Sequence, residues 1–325
     1  MWKLGNIEIK GKVVLAPMAG FTSTGFRKYM KPFGVSLAYS EMVSDMGLIY
    51  GNKETLTYLN SDENERPLGI QLFGSDPKNM AEAAKIVEKY TNKFDFFDIN
   101  AGCPVNKVTR SGAGSALLKN PEVLAEMVRV LKANTDKPVT VKIRLGWDNS
   151  HINFMEVIKL VEDAGVDAIA IHARTTKELY MGTPHYELLK DLQSKMRVPL
   201  IVSGNIYTLD DAINAINITG AQAVMVARGI VGNPTLIRQI NEYYKTGERI
   251  ESASLNEQKE YCLELARFLI EEKGEERAMK IYRSMAPKFF VGFPDSKALR
   301  SKLAQDMSTY HFLKEALDSY NPWSD

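Results

Sequence analysis

The chain has 325 residues, of which 45% are hydrophobic and 25% charged, and its formal net charge is +1. This composition is typical of a folded globular protein and excludes a disordered or polycationic chain. Two cysteines are too few for a disulfide framework, the first residues lack the apolar core of a signal peptide, and no apolar run is long enough to cross a bilayer. We therefore expect a cytoplasmic protein without a membrane segment, with one large domain and a smaller one.

Eight short apolar runs of strand type recur along the first part of the chain. They are Val13–Ala16, Leu37–Ser40, Leu68–Leu72, Phe96–Asn100, Val139–Ile143, Ala168–His172, Leu200–Val202 and Ala223–Val226. Nearly continuous apolarity is typical of strands that are buried on both faces of a parallel sheet. With helical patterns between the runs, their number and spacing predict an α/β fold, a (β/α)8 TIM barrel, over residues 1–244.

Proline residues and a capping threonine mark the starts of several predicted helices in this part of the chain. These helices cover Lys78–Tyr90, Glu122–Ala133, Leu209–Ile218 and Thr235–Tyr244. After Tyr244 the strand-like runs stop. Helical patterns follow over Glu257–Lys273, Glu276–Lys288, Asp295–Met307 and Thr309–Ser319. We predict a smaller all-helical C-terminal domain over residues 245–325.

Polar residues stand at the carboxyl ends of the predicted strands, which a barrel brings together at one mouth. These residues are Gln71, Asn100, Lys142, His172, Arg174 and Arg228. A lysine at a buried strand end, such as Lys142, needs a partner for its charge, and an anionic or carbonyl-bearing ring would be one. A Schiff base is the alternative role for this lysine. The position of His172 favours ligand contact over a satisfied core histidine.

The last two strand ends have the residue types of a phosphate site. Ser203, Gly204 and Asn205 follow the seventh strand, and Arg228 and Gly229 follow the eighth. Glycine lets the backbone approach an anion, and arginine clamps it with two donors. Turn glycines beside a surface arginine are the alternative interpretation.

Cys103 follows the fourth strand, in a turn of small residues that Pro104 closes. Free cysteine is often buried, yet this position beyond a strand end favours a reactive thiol. Cys262 lies in a helical pattern and is expected only to pack. The four histidines are dispersed and no Cys-x-x-Cys occurs, so we predict no metal site.

Taken together, these residues resemble the tRNA-dihydrouridine synthases, most closely the bacterial B-type members. The matching motifs are Ala16-Pro17-Met18-Ala19-Gly20, Ser40-Glu41-Met42, Asn100-Ala101-Gly102-Cys103-Pro104, Lys142-Ile143-Arg144, His172-Ala173-Arg174-Thr175 and Arg228-Gly229. The chain departs from the family pattern at three places. It has Ser203-Gly204-Asn205 for Asn-Gly-Asp, Ala227-Arg228 for Gly-Arg, and Ala101 for Met.

The resemblance implies an FMN-dependent oxidoreductase that reduces uridines in tRNA to 5,6-dihydrouridine with NADPH or NADH. It implies that FMN gives hydride to uracil C6 and that Cys103 gives the proton to C5. The implied FMN-binding residues are Pro17, Met18, Ala19, Gln71, Lys142, His172, Ser203, Gly204, Asn205, Ala227 and Arg228. Asn100 and Arg174 are implied at the target uracil, and Lys107 and Arg110 are candidates for backbone contact near it.

The stretch Arg277–Lys302 holds seven basic residues and one acid, interleaved with aromatic residues. This pattern suits RNA, and a solvated helix face is the alternative. Given the resemblance, Arg277, Lys280 and Arg283 are expected to contact tRNA, the partner of a monomeric enzyme. Two rival functions stay open. One is an FMN barrel acting on a small molecule such as a dihydropyrimidine, and the other is an RNA-binding protein without chemistry.

Overall fold

The protein combines short parallel strands with many helices, in a computed structural model that describes residues 1–322. The strands are β1 (Trp2–Leu4), β2 (Ile7–Ile9), β3 (Val13–Leu15), β4 (Leu37–Tyr39), β5 (Val43–Ser44), β6 (Leu68–Phe73), β7 (Phe96–Ala101), β8 (Val139–Arg144), β9 (Ala168–His172), β10 (Leu200–Ser203) and β11 (Ala223–Val226). The helices are α1 (Thr24–Met30), α2 (Asp45–Ile49), α3 (Lys53–Thr57), α4 (Pro77–Tyr90), α5 (Asn106–Thr109), α6 (Pro121–Asn134), α7 (Phe154–Asp163), α8 (Leu209–Thr219), α9 (Thr235–Thr246), α10 (Leu255–Lys273), α11 (Glu275–Tyr282), α12 (Ser296–Gln305) and α13 (Tyr310–Asp318).

Eight of the strands close into a parallel barrel in the order β3-β4-β6-β7-β8-β9-β10-β11, and β11 pairs back with β3. Each barrel strand lies on one of the eight apolar runs, so the predicted TIM barrel is confirmed. All carboxyl ends lie at one mouth, because the strands are parallel. Helices α10 to α13 form the predicted helical region after the barrel.

Two segments differ from the sequence-based expectation. The helix predicted over Glu276–Lys288 is confirmed only as far as Tyr282, where α11 ends, and its second half is wrong, since a short 3-10 helix covers Ala286–Phe290. Pro287 accounts for the break, because its ring fixes φ and removes a backbone donor. Between β9 and β10 the chain forms 3-10 helices, Tyr186–Leu189 and Leu192–Lys195, in place of an α-helix.

A hairpin that the sequence analysis missed closes the opposite end of the barrel. Strands β1 and β2 pair antiparallel, and Trp2, Leu4 and Ile9 are buried in one apolar cluster with the lower barrel interior. That cluster includes small residues such as Ala168 and Ala223, which leave room inside the barrel. The hairpin therefore covers the end of the barrel opposite the mouth.

The helical region packs on the barrel near its first two helical units. Helix α10 lies on α1, where the Phe33 and Tyr261 rings meet edge to face at 5.0 Å. Two contacts reach the loop after β11. Gln258 Nε2, from α10, donates to the Gly232 carbonyl at 3.1 Å, and the backbone of Lys288 and Phe289, which follow α11, lies against Gly232. These contacts bring the helical region beside the mouth.

We predict that Gly232→Ala loosens this contact. Gly232 has φ +86°, and a Cβ there would overlap the backbone of Lys288 and Phe289. Gly247→Ala is the matched control, because its φ is +82° and nothing lies within 4 Å of the added carbon. Thermal unfolding should show that the control loses about 1–2 kcal/mol of unfolding free energy, the cost of a left-handed backbone for alanine. Gly232→Ala should lose clearly more. Equal losses would contradict the tight docking.

Candidate active site

A cavity of about 550 Å³ opens at the mouth of the barrel, a size typical of cofactor and substrate sites. Most of the predicted site residues line it: Pro17, Met18, Ala19, Asn100, Cys103, Lys107, Lys142, His172, Ser203, Gly204, Asn205, Ala227 and Arg228. Gln71 and Arg174 are fully buried beside it. The barrel therefore brings together residues that are far apart in sequence.

The cavity is strongly cationic. Lys142, Arg144 and Arg228 line it. Burial lowers the pKa of the Lys142 ammonium to about 8, and the nearby Arg144 charge adds to the effect. Within residues 1–322, no carboxylate lies within 4 Å of the charged groups of Lys142 or Arg228. An anionic ligand would supply the missing counter-charge.

His172 is held in one neutral form at this site. Burial, followed by the charges of Lys142 and neighbouring arginines, places the pKa of His172 well below its ordinary value. The guanidinium of Arg174 lies 3.2 Å from His172 Nε2. Because arginine can only donate, Nε2 accepts and the ring proton sits on Nδ1. His172 is therefore a hydrogen-bonding group and not a cation at neutral pH.

The Cys103 loop is held through its backbone. Asn100 Oδ1 accepts from the Cys103 N–H at 2.9 Å, and Ser115 Oγ donates to the Cys103 carbonyl at 2.9 Å. Burial raises the pKa of the Cys103 thiol above its ordinary value, against smaller opposing effects of a backbone hydrogen bond and of the Lys142 and Arg144 charges. The thiol is therefore protonated at neutral pH and available as a proton donor.

Gln71 lies beneath the cavity and bonds to protein groups. Its Nε2 donates to Asp98 at 2.6 Å, and its Oε1 accepts from Asn100 Nδ2 at 2.8 Å. Asp98 is fully buried inside the barrel, where burial raises its pKa to about 6, against hydrogen bonds from Gln71 and Thr140 that lower it. Gln71 remains a predicted FMN ligand with one N–H still free of these bonds.

Two unusual backbone positions shape the corner between β10 and β11. Gly204 has φ +133°, and a Cβ there would meet Pro184 at 3.1 Å. Asn205 has φ +48°, in the left-handed region that asparagine and aspartate tolerate best among side-chain residues. The Asn205 departure from the family's aspartate thus keeps the local conformation. Arg228 faces this corner, between the rings of Tyr180 at 5.0 Å and Tyr207 at 6.0 Å.

Sequence reasoning missed the roles of Arg144 and Tyr180. Arg144 is buried and donates to the carbonyls of Gly102, Thr175 and Leu179, at 2.9, 2.8 and 2.7 Å. It thereby ties the Cys103 loop to the loop that carries Tyr180. A basic residue at a buried strand end was a signal for such a role, whereas Tyr180 lies in a loop without any periodic pattern.

The predicted tRNA-binding residues lie in different surroundings. Lys107 and Arg110 are exposed beside the cavity, and Arg277 and Lys280 are exposed on α11. Arg283 is half-buried, and its Nε donates to the Met307 carbonyl at 2.6 Å, so part of its guanidinium holds the helical region together.

No helix among residues 1–322 is long and apolar enough to span a bilayer.

A family model described as "Dihydrouridine synthase (Dus)" matches residues 14–320 of the chain. The chain belongs to this family. It is 34% identical to "Probable tRNA-dihydrouridine synthase" of Rickettsia bellii, covering 92% of each protein. It is 35% identical to "tRNA-dihydrouridine synthase B" of Pseudomonas aeruginosa, covering 92% of this chain and 90% of the relative. The resemblance inferred from the motifs, including its B-type character, is confirmed.

Solved structures share the barrel with this family member at low sequence identity. An old yellow enzyme homologue from Zymomonas mobilis has a TM-score of 0.52 at 13% identity, covering 77% of this chain and 92% of that one. Morphinone reductase in complex with tetrahydroNAD has a TM-score of 0.51 at 13% identity, covering 78% and 92%. At this identity the likeness concerns the fold alone.

Proposed function

We propose that this family member is an FMN-dependent enzyme that reduces uridines in tRNA to 5,6-dihydrouridine, with NADPH or NADH as the reductant. The observation that carries the proposal is a cationic cavity at the barrel mouth with the protonated thiol of Cys103 on its wall. An anionic flavin fits the charge of the cavity, and a thiol fits the proton that reduction of a C=C bond requires.

The residues at the mouth fit FMN. Arg228 and the backbone around Gly204 would hold the phosphate, because both line the cavity and, among residues 1–322, the guanidinium has no carboxylate partner. Lys142 and Gln71 would bond the ring, and Pro17, Met18 and Ala19 would contact it. The bound cofactor would supply the hydride for uracil C6. A positive Lys142 favours a negatively charged ring and would be stabilised by it.

Cys103 is the proposed proton donor. Reduction of the uracil C5=C6 bond needs one proton at C5 in addition to the hydride at C6, and a thiol with a raised pKa holds that proton at pH 7. The loop bonds to Asn100 and Ser115 fix its backbone. A base stacked in folded RNA is out of reach of this cavity, so the target must turn out of its stack.

We predict that the alkylation rate of Cys103 by iodoacetamide still rises with pH at pH 9. Only the thiolate reacts, and burial raises the pKa of this thiol, so the thiolate fraction keeps growing above the ordinary value of about 8.5. Intact-mass spectrometry of Cys262→Ala isolates the one remaining thiol. A rate that levels off below pH 8 would mean that Cys103 is a thiolate at neutral pH and not an acid.

The basic surface of α11 is the proposed tRNA contact away from the cavity. Lys280 is exposed there, so Lys280→Glu should weaken tRNA binding and lower the slope of log affinity against log salt by about one. Lys195→Glu is the control, because Lys195 is equally exposed but lies just before β10, at the barrel end opposite the mouth. Filter binding over a salt series measures both. An unchanged slope for Lys280→Glu would remove α11 from the interface.

The rival function is FMN-barrel chemistry on a small molecule, and NADPH oxidation distinguishes the two. We expect the FMN-loaded enzyme to oxidise NADPH anaerobically when unmodified tRNA is present, and not with free uracil or uridine. Turnover with free uracil but not with tRNA would favour the rival. A protein that binds tRNA and takes up no FMN would favour an RNA-binding protein without chemistry.

A further inference from the structure

We propose that Asp98 is a positioning residue that anchors Gln71 and thereby holds the Asn100 amide in place, with an N–H donor, and not its carbonyl oxygen, toward the substrate. Asp98 lies inside the barrel, is fully buried and does not line the cavity. It acts through other side chains. The inference rests on the proposed function, since the group that the donor meets is a uracil carbonyl.

A chain of hydrogen bonds links Asp98 to the Cys103 loop. Asp98 Oδ2 accepts from Gln71 Nε2 at 2.6 Å, and Gln71 Oε1 accepts from Asn100 Nδ2 at 2.8 Å. Asn100 Oδ1 then accepts from the backbone N–H groups of Cys103 at 2.9 Å and Gly102 at 3.2 Å. Gln71 and Asn100 each donate on one side and accept on the other, so the orientation of one amide constrains that of its neighbour.

The two ends of the chain fix the orientation of both amides. A backbone N–H can only donate, so the Asn100 oxygen must face Gly102 and Cys103. The Asn100 nitrogen then faces Gln71, which must present its oxygen there and its nitrogen to Asp98. The carboxylate of Asp98 accepts that bond, and it also accepts from Thr140 Oγ1 at 2.5 Å. Without an acceptor at position 98, Gln71 Nε2 would lose its partner inside the barrel, and only the bond from Asn100 would hold Gln71 in this orientation.

One N–H of Asn100 is left over. Its nearest protein partner is the Met42 sulfur, 3.9 Å from Nδ2, and a thioether is a weak acceptor. Asn100 and Met42 both line the cavity, so a substrate at the cavity wall could replace this weak contact. A pyrimidine carbonyl oxygen would accept from this N–H, whereas an amino group at the same place would set two donors against each other.

The position of Asn100 next to Cys103 indicates which uracil carbonyl would accept from the Asn100 N–H. The thiol protonates C5 of uracil, and the neighbouring C4 carbonyl collects negative charge as hydride reaches C6. A donor fixed in advance at that oxygen stabilises the transition state more than the ground state. Asp98 thereby contributes to the rate of uracil reduction and to the preference for uracil over cytosine without contacting the substrate base.

The test compares Asp98→Leu with Asp98→Asn in FMN-loaded enzyme. Leucine removes the acceptor of Gln71 Nε2, so Gln71 can turn away from Asn100, whose amide then keeps only its two backbone bonds. Asparagine keeps an oxygen for Gln71 and can donate to the Thr140 hydroxyl, so the orientation survives without the charge. The enzyme is reduced with NADPH without oxygen and mixed with unmodified tRNA, and the return of flavin absorbance gives the single-turnover rate and the half-saturating tRNA concentration.

We expect Asp98→Leu to slow the saturated rate about a hundredfold, with the half-saturating tRNA concentration nearly unchanged. Asp98→Asn should stay within about threefold of the wild type. If Asp98→Leu does not fold, Gln71→Leu breaks the same chain and should lower the saturated rate similarly, with an added change in the flavin spectrum from the lost ring bond. A wild-type rate in the leucine variants, or equal losses in Asp98→Asn and Asp98→Leu, would overturn the proposal. If the reduced flavin of the wild-type enzyme is not reoxidised when tRNA is added, the proposed function itself is refuted.

Discussion

Cys103→Ala is expected to lower the rate of uridine reduction about a thousandfold, the usual contribution of a positioned general acid. The affinities for FMN and tRNA should be unchanged, because the loop is held by backbone bonds to Asn100 and Ser115 and not by the thiol. Single-turnover oxidation of the reduced flavin by tRNA measures the loss. It separates the proton transfer from the loading of the flavin by NADPH.

Cys262→Ala is the matched control for this variant. Cys262 is fully buried in α10 and accepts from the Tyr282 hydroxyl at 3.3 Å, so its loss affects packing and not the mouth. We expect nearly full activity, with a lower unfolding temperature. Full activity in Cys103→Ala would keep the family assignment and remove Cys103 as the acid. Equal losses in both variants would point to a general effect of thiol removal on stability.

Arg228→Ala is expected to weaken FMN binding about a hundredfold. Charge-assisted hydrogen bonds to a phosphate contribute about 1.5–3 kcal/mol, and within residues 1–322 no carboxylate lies within 4 Å of this guanidinium to compete for it. Arg228→Lys should recover part of the loss, since it keeps the charge and gives up the bidentate geometry. Fluorescence titration of flavin-free protein with FMN measures the affinities.

Arg249→Ala controls for the loss of an arginine as such. Arg249 is exposed and pairs with Asp210 at 2.6 Å, outside the residues that line the cavity. Its variant should bind FMN like the wild type. If Arg228→Ala also binds FMN normally while its unfolding temperature is unchanged, the phosphate lies elsewhere in the cavity. The corner around Gly204 would then be a structural turn.

The barrel was predictable because each of its strands is buried on both faces and reads as an apolar run. The hairpin of Trp2–Leu4 and Ile7–Ile9 was not, since three-residue strands leave almost no periodic signal. Pro287 was a visible breaker within a helical pattern, and the structure shows that it does end α11 early. Such local chemistry decides boundaries more than the presence of an element.

The candidate site was predictable where residues stand at strand ends, and less so where a role depends on contacts inside the barrel. Cys103, Lys142 and Arg228 were identified from position and residue type, and all three line the cavity. Asp98 passed unnoticed within an apolar run, although an acid in a doubly buried strand is itself a signal that it has a partner. The contact of Tyr180 with Arg228 depends on a loop whose path no sequence pattern predicts.

The central claim is that this enzyme reduces uridine in tRNA, and the dihydrouridine content of tRNA tests it most directly. Unmodified tRNA is incubated with the FMN-loaded protein and NADPH, digested, and examined by mass spectrometry for nucleosides that have gained two hydrogens. We predict dihydrouridine that accumulates with time and depends on both NADPH and Cys103. Unchanged uridine, despite bound FMN that NADPH reduces, would contradict the proposed reaction.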